Sequence, residues 1–301
     1  VLPLKDAFHL VQSTVDAWLD DKAPSMGAAL AYYTLFSIAP LLLIVISVAG
    51  LLFGADAARG EIFGQLRGLV GESGAAAIQS MLESVNRPTE GITATVTGIG
   101  LVLAGATTVF GELQDALDRI WRAPQRTGSG LWQLLRARLL SFGMVLGIGF
   151  LLMVSLVFSA AVEVLQRWWE PWLGGWVAPI ALVNHGITFA LVTAMFAMIY
   201  KLMPRVRIEW PDVLVGAVVT AALFTVGKWL IGLYIGTAGV GSGFGAAGSL
   251  VALLVWVYYS AQIFLLGAEF TWVYAHRYGS RRHVPTPAPN GPPGTALRGA
   301  G

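Results

Sequence analysis

Cysteine does not occur in the 301 residues. Its absence removes disulfide scaffolds, thiolate zinc sites, iron–sulfur clusters and cysteine nucleophiles at one stroke. Charge is scarce as well: Asp, Glu, Lys and Arg make up 12% of the chain, about half the share of an ordinary soluble domain. A formal net charge of +2 supplies no basic field, so nucleic acid is not expected as a partner. The four histidines, His9, His185, His276 and His283, have no metal-ligand spacing, and neither a Gly-x-Ser-x-Gly elbow nor an HExxH pair is present. The acids are scattered and form no two-metal cluster. These gaps predict a chain that is not an enzyme and needs no metal or cofactor.

What is abundant is apolar sequence. Hydrophobic residues make up 56% of the chain and mean hydropathy is +0.69. A lipid bilayer requires about 20 consecutive apolar residues in a helix, because backbone polar groups must be satisfied internally there. Six stretches qualify: 26–53, 91–111, 139–162, 177–200, 213–235 and 248–275. The expected fold is therefore all-α, a six-helix transmembrane domain over 26–275. Pro40 falls inside the first span, where a kink is expected. The second span, rich in Gly, Ala and Thr, suits close helix packing. Trp168, Trp169, Trp172 and Trp176 bunch at the ends of spans three and four as interfacial anchors. Trp256, Tyr258 and Tyr259 fall inside span six, where packing or pathway lining suits them better.

Basic residues divide unevenly between the connections. With the N-terminus inside, fourteen Lys and Arg fall on inner segments and four on outer ones, with Lys228 left within span five. The bias puts both termini in the cytoplasm. Residues 1–25 place Phe8, Val11, Val15, Trp18 and Leu19 at helical spacing, which predicts an amphipathic helix either lying on the inner membrane surface or docked on the bundle. This segment is too acidic, and the apolar run after it too long, for a cleavable signal peptide. Residues 55–88 read as an outer segment of two short amphipathic helices, one carrying Ile62, Phe63, Leu66, Leu69 and Val70, the other Ile78, Met81, Leu82 and Val85. The Pro- and Gly-rich tail, 276–301, cannot build a packed core and is expected to be disordered.

Polar residues at membrane depth are the candidates for function, since each costs several kcal/mol unless paired or hydrated. Lys228 lies in the outer half of span five, with Asn184 and His185 at a similar level on span four. Lys228 is either an anion- or headgroup-binding residue in a hydrated cavity or a snorkelling surface lysine. Glu163, at the outer end of span three, is its counter-ion by depth. Gln262 near the middle of span six must find a hydrogen-bond partner on a neighbouring helix. Glu112 and Glu269 lie near the inner ends of spans two and six, where they either pair with Lys201 or Arg205 or couple to protons. The Gly-rich stretch 236–250 lacks the ending of a phosphate loop and predicts a tight turn or a broken helix.

Four long segments carry a resemblance: AALAYYTLFSIAPLLL (28–43), GATTVFGELQDALDRIW (105–121), YKLMPRVRIEW (200–210) and FGAAGSLVALLVWVYYSAQIFLLGAEF (244–270). Together they resemble the YihY/virulence factor BrkB family over nearly the whole chain except the tail. The resemblance implies a six-span bacterial inner-membrane protein. An older label for that family, ribonuclease BN, finds no carboxylate cluster or metal-spaced histidines here to support it. Other members are linked to serum resistance and envelope lipid export, which implies a transporter or flippase-like protein for a lipid or other amphiphile. The other reading is a non-transporting scaffold of the envelope. Membrane lipid is the expected partner, a homo-oligomer is compatible with the small-residue faces, and, with no ATP-binding segment present, any driving force is expected from an ion gradient or from a separate energising or envelope partner.

Overall fold

A computed structural model describes residues 4–85, 108–124, 177–237 and 247–282. All the secondary structure in these residues is helical. In chain order the helices are α1 (Leu4–Asp20), α2 (Ala23–Phe53), α3 (Ala55–Val85), α4 (108–120), α5 (Val177–Leu202), α6 (Trp210–Thr237) and α7 (Gly248–Arg277).

Among the described residues, Trp210–Tyr234 and Gly248–Arg277 are long and apolar enough to cross a membrane, each at a mean hydropathy of 1.9. In α2, Ala23–Ala39 and Leu41–Ser47 meet at a 42° bend and together make a third candidate. Pro40 stands at the bend, a residue with no backbone N–H to give to the preceding turn. The apolar part of α5, Gly186–Leu202, is shorter. Most of the expected second span and all of the third lie outside the described residues, as do the Trp168–Trp176 cluster, most of the 236–250 connection and the tail beyond 282.

α7 is the hub, touching α6, α2, α1 and α3, while α5 packs on α6. One side of α7 meets α5 and α6 through small residues. A Cβ added at Gly216 of α6 would overlap the Thr271 hydroxyl of α7, and one at Gly267 would overlap Thr220 of α6 and the Tyr200 hydroxyl of α5. With no hydrophobic effect between helices in lipid, such close backbone approach is what makes helices adhere. Tyr200 fills the centre of this seam. Its hydroxyl donates to the Phe264 carbonyl at 2.8 Å and lies 3.1 Å from the Thr220 hydroxyl. Phe196, Phe224 and Phe264 surround it, with Trp256 edge-on to Phe224. Trp256 is thus a packing residue.

α3 is interrupted at Gly71, whose φ of 75° is a left-handed conformation that side chains disfavour. Val70, Ile78 and Leu82 are buried on either side of the break and the segment packs on α2 and α7. α1 and α2 are joined by an elbow at Lys22, which has φ 58°. That elbow folds α1 back onto α7. The buried side of α1 carries Leu10 and Thr14, with Trp18 half-buried, whereas Phe8, Val11, Val15 and Leu19 remain exposed, Phe8 at 68%. The apolar residues of α1 therefore divide between two faces, one docked on the bundle and one open.

Candidate functional site

Polar chemistry gathers at one end of the bundle, where α2 and α6 begin and α4, α5 and α7 end. Asp118 of α4 accepts the Arg205 backbone N–H at 2.8 Å and pairs with its guanidinium at 3.2 Å, while Asp115 lies 3.6 Å from the same side chain. Gln114 donates to the Met203 carbonyl at 2.9 Å, so α4 is tied to the turn after α5 at two points. Asp212, in the first turn of α6, accepts the Ser280 hydroxyl at 2.6 Å and its N–H at 3.1 Å. Arg281 donates to the Arg207 carbonyl at 2.7 Å and stacks over Trp121 at 5.3 Å. Basic residues from separate parts of the chain thus share one end, held by acids, carbonyls and indole faces.

Inside this end lies a buried carboxyl pair. Glu269 of α7 is 0% exposed, and neither of its carboxyl oxygens has a hydrogen-bond donor. Its acidic neighbour is Asp21 of the α1–α2 elbow, whose Oδ2 is likewise buried without a hydrogen-bond donor. Two carboxylates cannot donate to one another, so the pair is satisfied only when one of them carries a proton. Arg122 closes the site. It sits just after α4 with φ 49°, its guanidinium 4.0 Å from Asp21 and 4.9 Å from the centre of the Trp272 ring. Burial pushes the Asp21 carboxyl above the usual carboxylate range, with Arg122 pulling the other way.

The same end of the bundle holds an open cleft of about 280 Å³ between α2 and α4, lined by Ser25, Met26, Ala29, Glu112, Asp115, Ala116 and Arg119. The first turns of α2 separate it from Gln262. That side chain reaches the Pro24 carbonyl at 3.5 Å, and its amide lies where a Cβ on Gly27 would fall. The buried amide oxygen of Gln262 has no donor.

The residues expected to matter do not converge. Lys228 stands on the exposed face of α6, among Val226, Trp229 and Leu230. Asn184 and His185 lie on α5, but their side chains are outside the described set, and Glu163 is outside the described residues altogether. None of Lys228, Gln262 or Glu269 lines the cleft, and Glu112 does. Glu269 meets neither Lys201 nor Arg205, because Lys201 donates to the Ile208 carbonyl and Arg205 is taken by Asp115 and Asp118. Asp21, Asp118 and Arg122 escaped the sequence reading. All three lie outside the apolar runs, where intramembrane polarity gives no signal, although Asp118 falls within the resembling segment 105–121. Among the described residues no group of three or more His, Asp or Glu could hold a metal ion.

Long apolar helices with outward faces such as Leu214, Val218, Val226, Trp229 and Leu233 on α6 define a polytopic helical membrane protein whose surface suits lipid. Within that class the chain belongs to the virulence factor BrkB family, whose sequence pattern matches residues 14–291. It is similar to a UPF0761 membrane protein of Pseudomonas paraeruginosa, 29% identical over 289 residues, covering 94% of this chain and 67% of the relative. A UPF0761 membrane protein of Tolumonas auensis is 29% identical over 264 residues, 83% of this chain and 80% of the relative. One from Rhodospirillum centenum is 28% identical over 273 residues, 89% and 58%. The chain spans about two thirds of the length of the Pseudomonas relatives it matches. No solved structure matches.

Proposed function

We propose that the chain is a bacterial inner-membrane transporter or flippase-like protein for a lipid or another amphiphilic envelope component, with six spans and the basic end in the cytoplasm. The observation that carries this reading is the burial of Glu269, together with the half-buried Gln262, along one side of an otherwise apolar helix, at the end of the bundle that also holds an open cleft between α2 and α4. Ionisable groups are costly in such a place, and their usual use is to line or gate a path. Lys228 fits an anionic headgroup arriving from the lipid, because it is an exposed cation on an apolar face. The 1–25 segment and 26–275 bundle are assigned the roles of an interfacial helix and a membrane domain, whereas the start of the tail expected to be disordered, 276–282, is ordered, with α7 reaching Arg277, and with Ser280 and Arg281 held by Asp212 and the Arg207 carbonyl. Asn184 and His185 are assigned to the same headgroup level, and Glu163 to the counter-ion.

The test is movement of fluorescent anionic and zwitterionic lipids across proteoliposomes holding the full chain. We expect movement that Lys228→Ala slows several-fold for the anionic lipid. Unchanged rates in that variant reject the headgroup site, and no movement at all rejects transport. A second reading, an envelope scaffold without transport, draws on Gln262, whose one hydrogen bond joins α7 to the start of α2 as a helix fastener.

A further inference from the structure

We propose that Asp21 and Glu269 form a proton-binding site, in which the Glu269 carboxyl donates one shared proton to the Asp21 carboxylate and Arg122 neutralises the charge that remains. The geometry supplies each part. Glu269 is fully buried with both oxygens lacking a donor, and beside it is a second acid, Asp21, whose Oδ2 is also buried without a donor and whose side chain is 12% exposed. A single proton turns two competing acceptors into a donor and an acceptor. Arg122, 4.0 Å from Asp21 and seated on Trp272, offers one positive charge, enough for one carboxylate and too little for two. With the proton removed, two like charges face each other where the α1–α2 elbow, the end of α4 and α7 come together.

The other charges acting on the pair are Asp20 from α1 and Arg119 from α4, with His276 two turns along α7 facing Arg122 and Arg281. The two acids titrate as a pair. Burial raises the Asp21 carboxyl, which lies outside the spans, so its contribution to stability is complete at low pH and is lost as pH rises from the ordinary carboxylate range through the raised value in the folded protein. The site thus acts as a latch: protonated, it binds the α1–α2 elbow to α7; deprotonated, it pushes them apart.

This inference deepens the proposed transport function by naming a site for an ion, yet its test does not depend on transport. The full chain is purified in detergent and its thermal unfolding followed across pH, for wild type, Glu269→Gln and Glu269→Ala. A glutamine amide is neutral and donates to Asp21 as the protonated acid does. We expect Glu269→Gln to match wild type at low pH and to lose the wild-type decline at higher pH, while Glu269→Ala is destabilised at every pH. Infrared spectroscopy of the folded wild type is expected to show a protonated-carboxyl band at neutral pH that Glu269→Gln removes. A Glu269→Gln variant that keeps the wild-type pH profile, or a spectrum with no such band in wild type, overturns the proposal. Stabilisation of wild type by sodium over choline at high pH, lost in Glu269→Gln, also overturns it and assigns the pair to a metal cation instead. Lipid movement that fails while these readouts succeed removes the transport reading and leaves the proton site standing.

Discussion

α7 presents two sides that solve opposite problems. Phe264, Gly267, Ala268 and Thr271 face α5 and α6 in a seam where every polar atom has a partner close by: Tyr200 reaches Phe264, Thr220 donates to the Gly216 carbonyl at 2.7 Å, and Thr271 donates to Gly267 at 2.7 Å. Roughly half a helical turn away, Gln262 and Glu269 point toward α2 and the elbow with oxygens that no donor satisfies. Gln262, Glu269 and His276 recur every two turns and so share that side. The seam is self-complementary and resists change. The opposite side holds groups whose comfort depends on what else is present, a proton above all, and there a membrane protein can register its surroundings.

Substitutions ought to separate the two sides by size of effect. The largest belongs to the seam: Gly267→Leu drives a side chain into Thr220 and Tyr200, with a loss of about 3 kcal/mol in detergent unfolding, or no folded protein recovered. A loss under ~1 kcal/mol would mean the helices slide apart freely, contrary to close backbone contact. Next is the link from α4 to the turn after α5. Asp118→Ala removes a buried acceptor from Arg205, with an expected loss of about 2 kcal/mol; an equal loss in Asp118→Asn, which keeps an accepting oxygen, would show that charge, not hydrogen bonding, matters there. Tyr200→Phe deletes the bond to Phe264 but keeps the ring packing, for about 1 kcal/mol, measurable as a small fall in midpoint temperature. Smallest is the exposed Arg67–Glu72 pair in α3, 2.9 Å apart with both side chains mostly in the open. Arg67→Ala is expected to change stability by less than ~0.5 kcal/mol, and a larger effect would reveal a contact beyond this pair.

Much of the fold can be read along the chain, because a helix in lipid must be apolar over its whole length and so announces itself. The expected 177–200, 213–235 and 248–275 stretches coincide within a few residues with α5, α6 and α7. The bend at Pro40 and the interruption at Gly71 follow from residues with unusual backbone freedom or restriction. The arrangement of α1 does not follow so simply. Phe8, Val11, Val15 and Leu19 make the more apolar stripe, yet Leu10, Thr14 and Trp18 meet the bundle. A left-handed residue at Lys22 aims the helix, and periodicity carries no information about that angle.

The candidate site was legible only in part. Glu269 and Gln262 stood out because a polar residue within an apolar run is conspicuous. Their partners did not, since Asp21 lies 248 positions from Glu269 in a polar stretch that looks like any exposed turn. Likewise Arg205 is as suitable a counter-ion as Arg122 on depth alone, and the geometry of α4 chooses between them.

Sequence alone determined that this chain is helical and apolar enough to live among lipid tails, because those properties are sums over composition and spacing. Which charges become neighbours was left to the tertiary structure. The elbow at Lys22, the turn at Arg122 and the glycine seam that draws α6 against α7 together set an acid against an acid, and contact between residues so far apart in the chain depends on backbone angles and packing that local pattern does not encode.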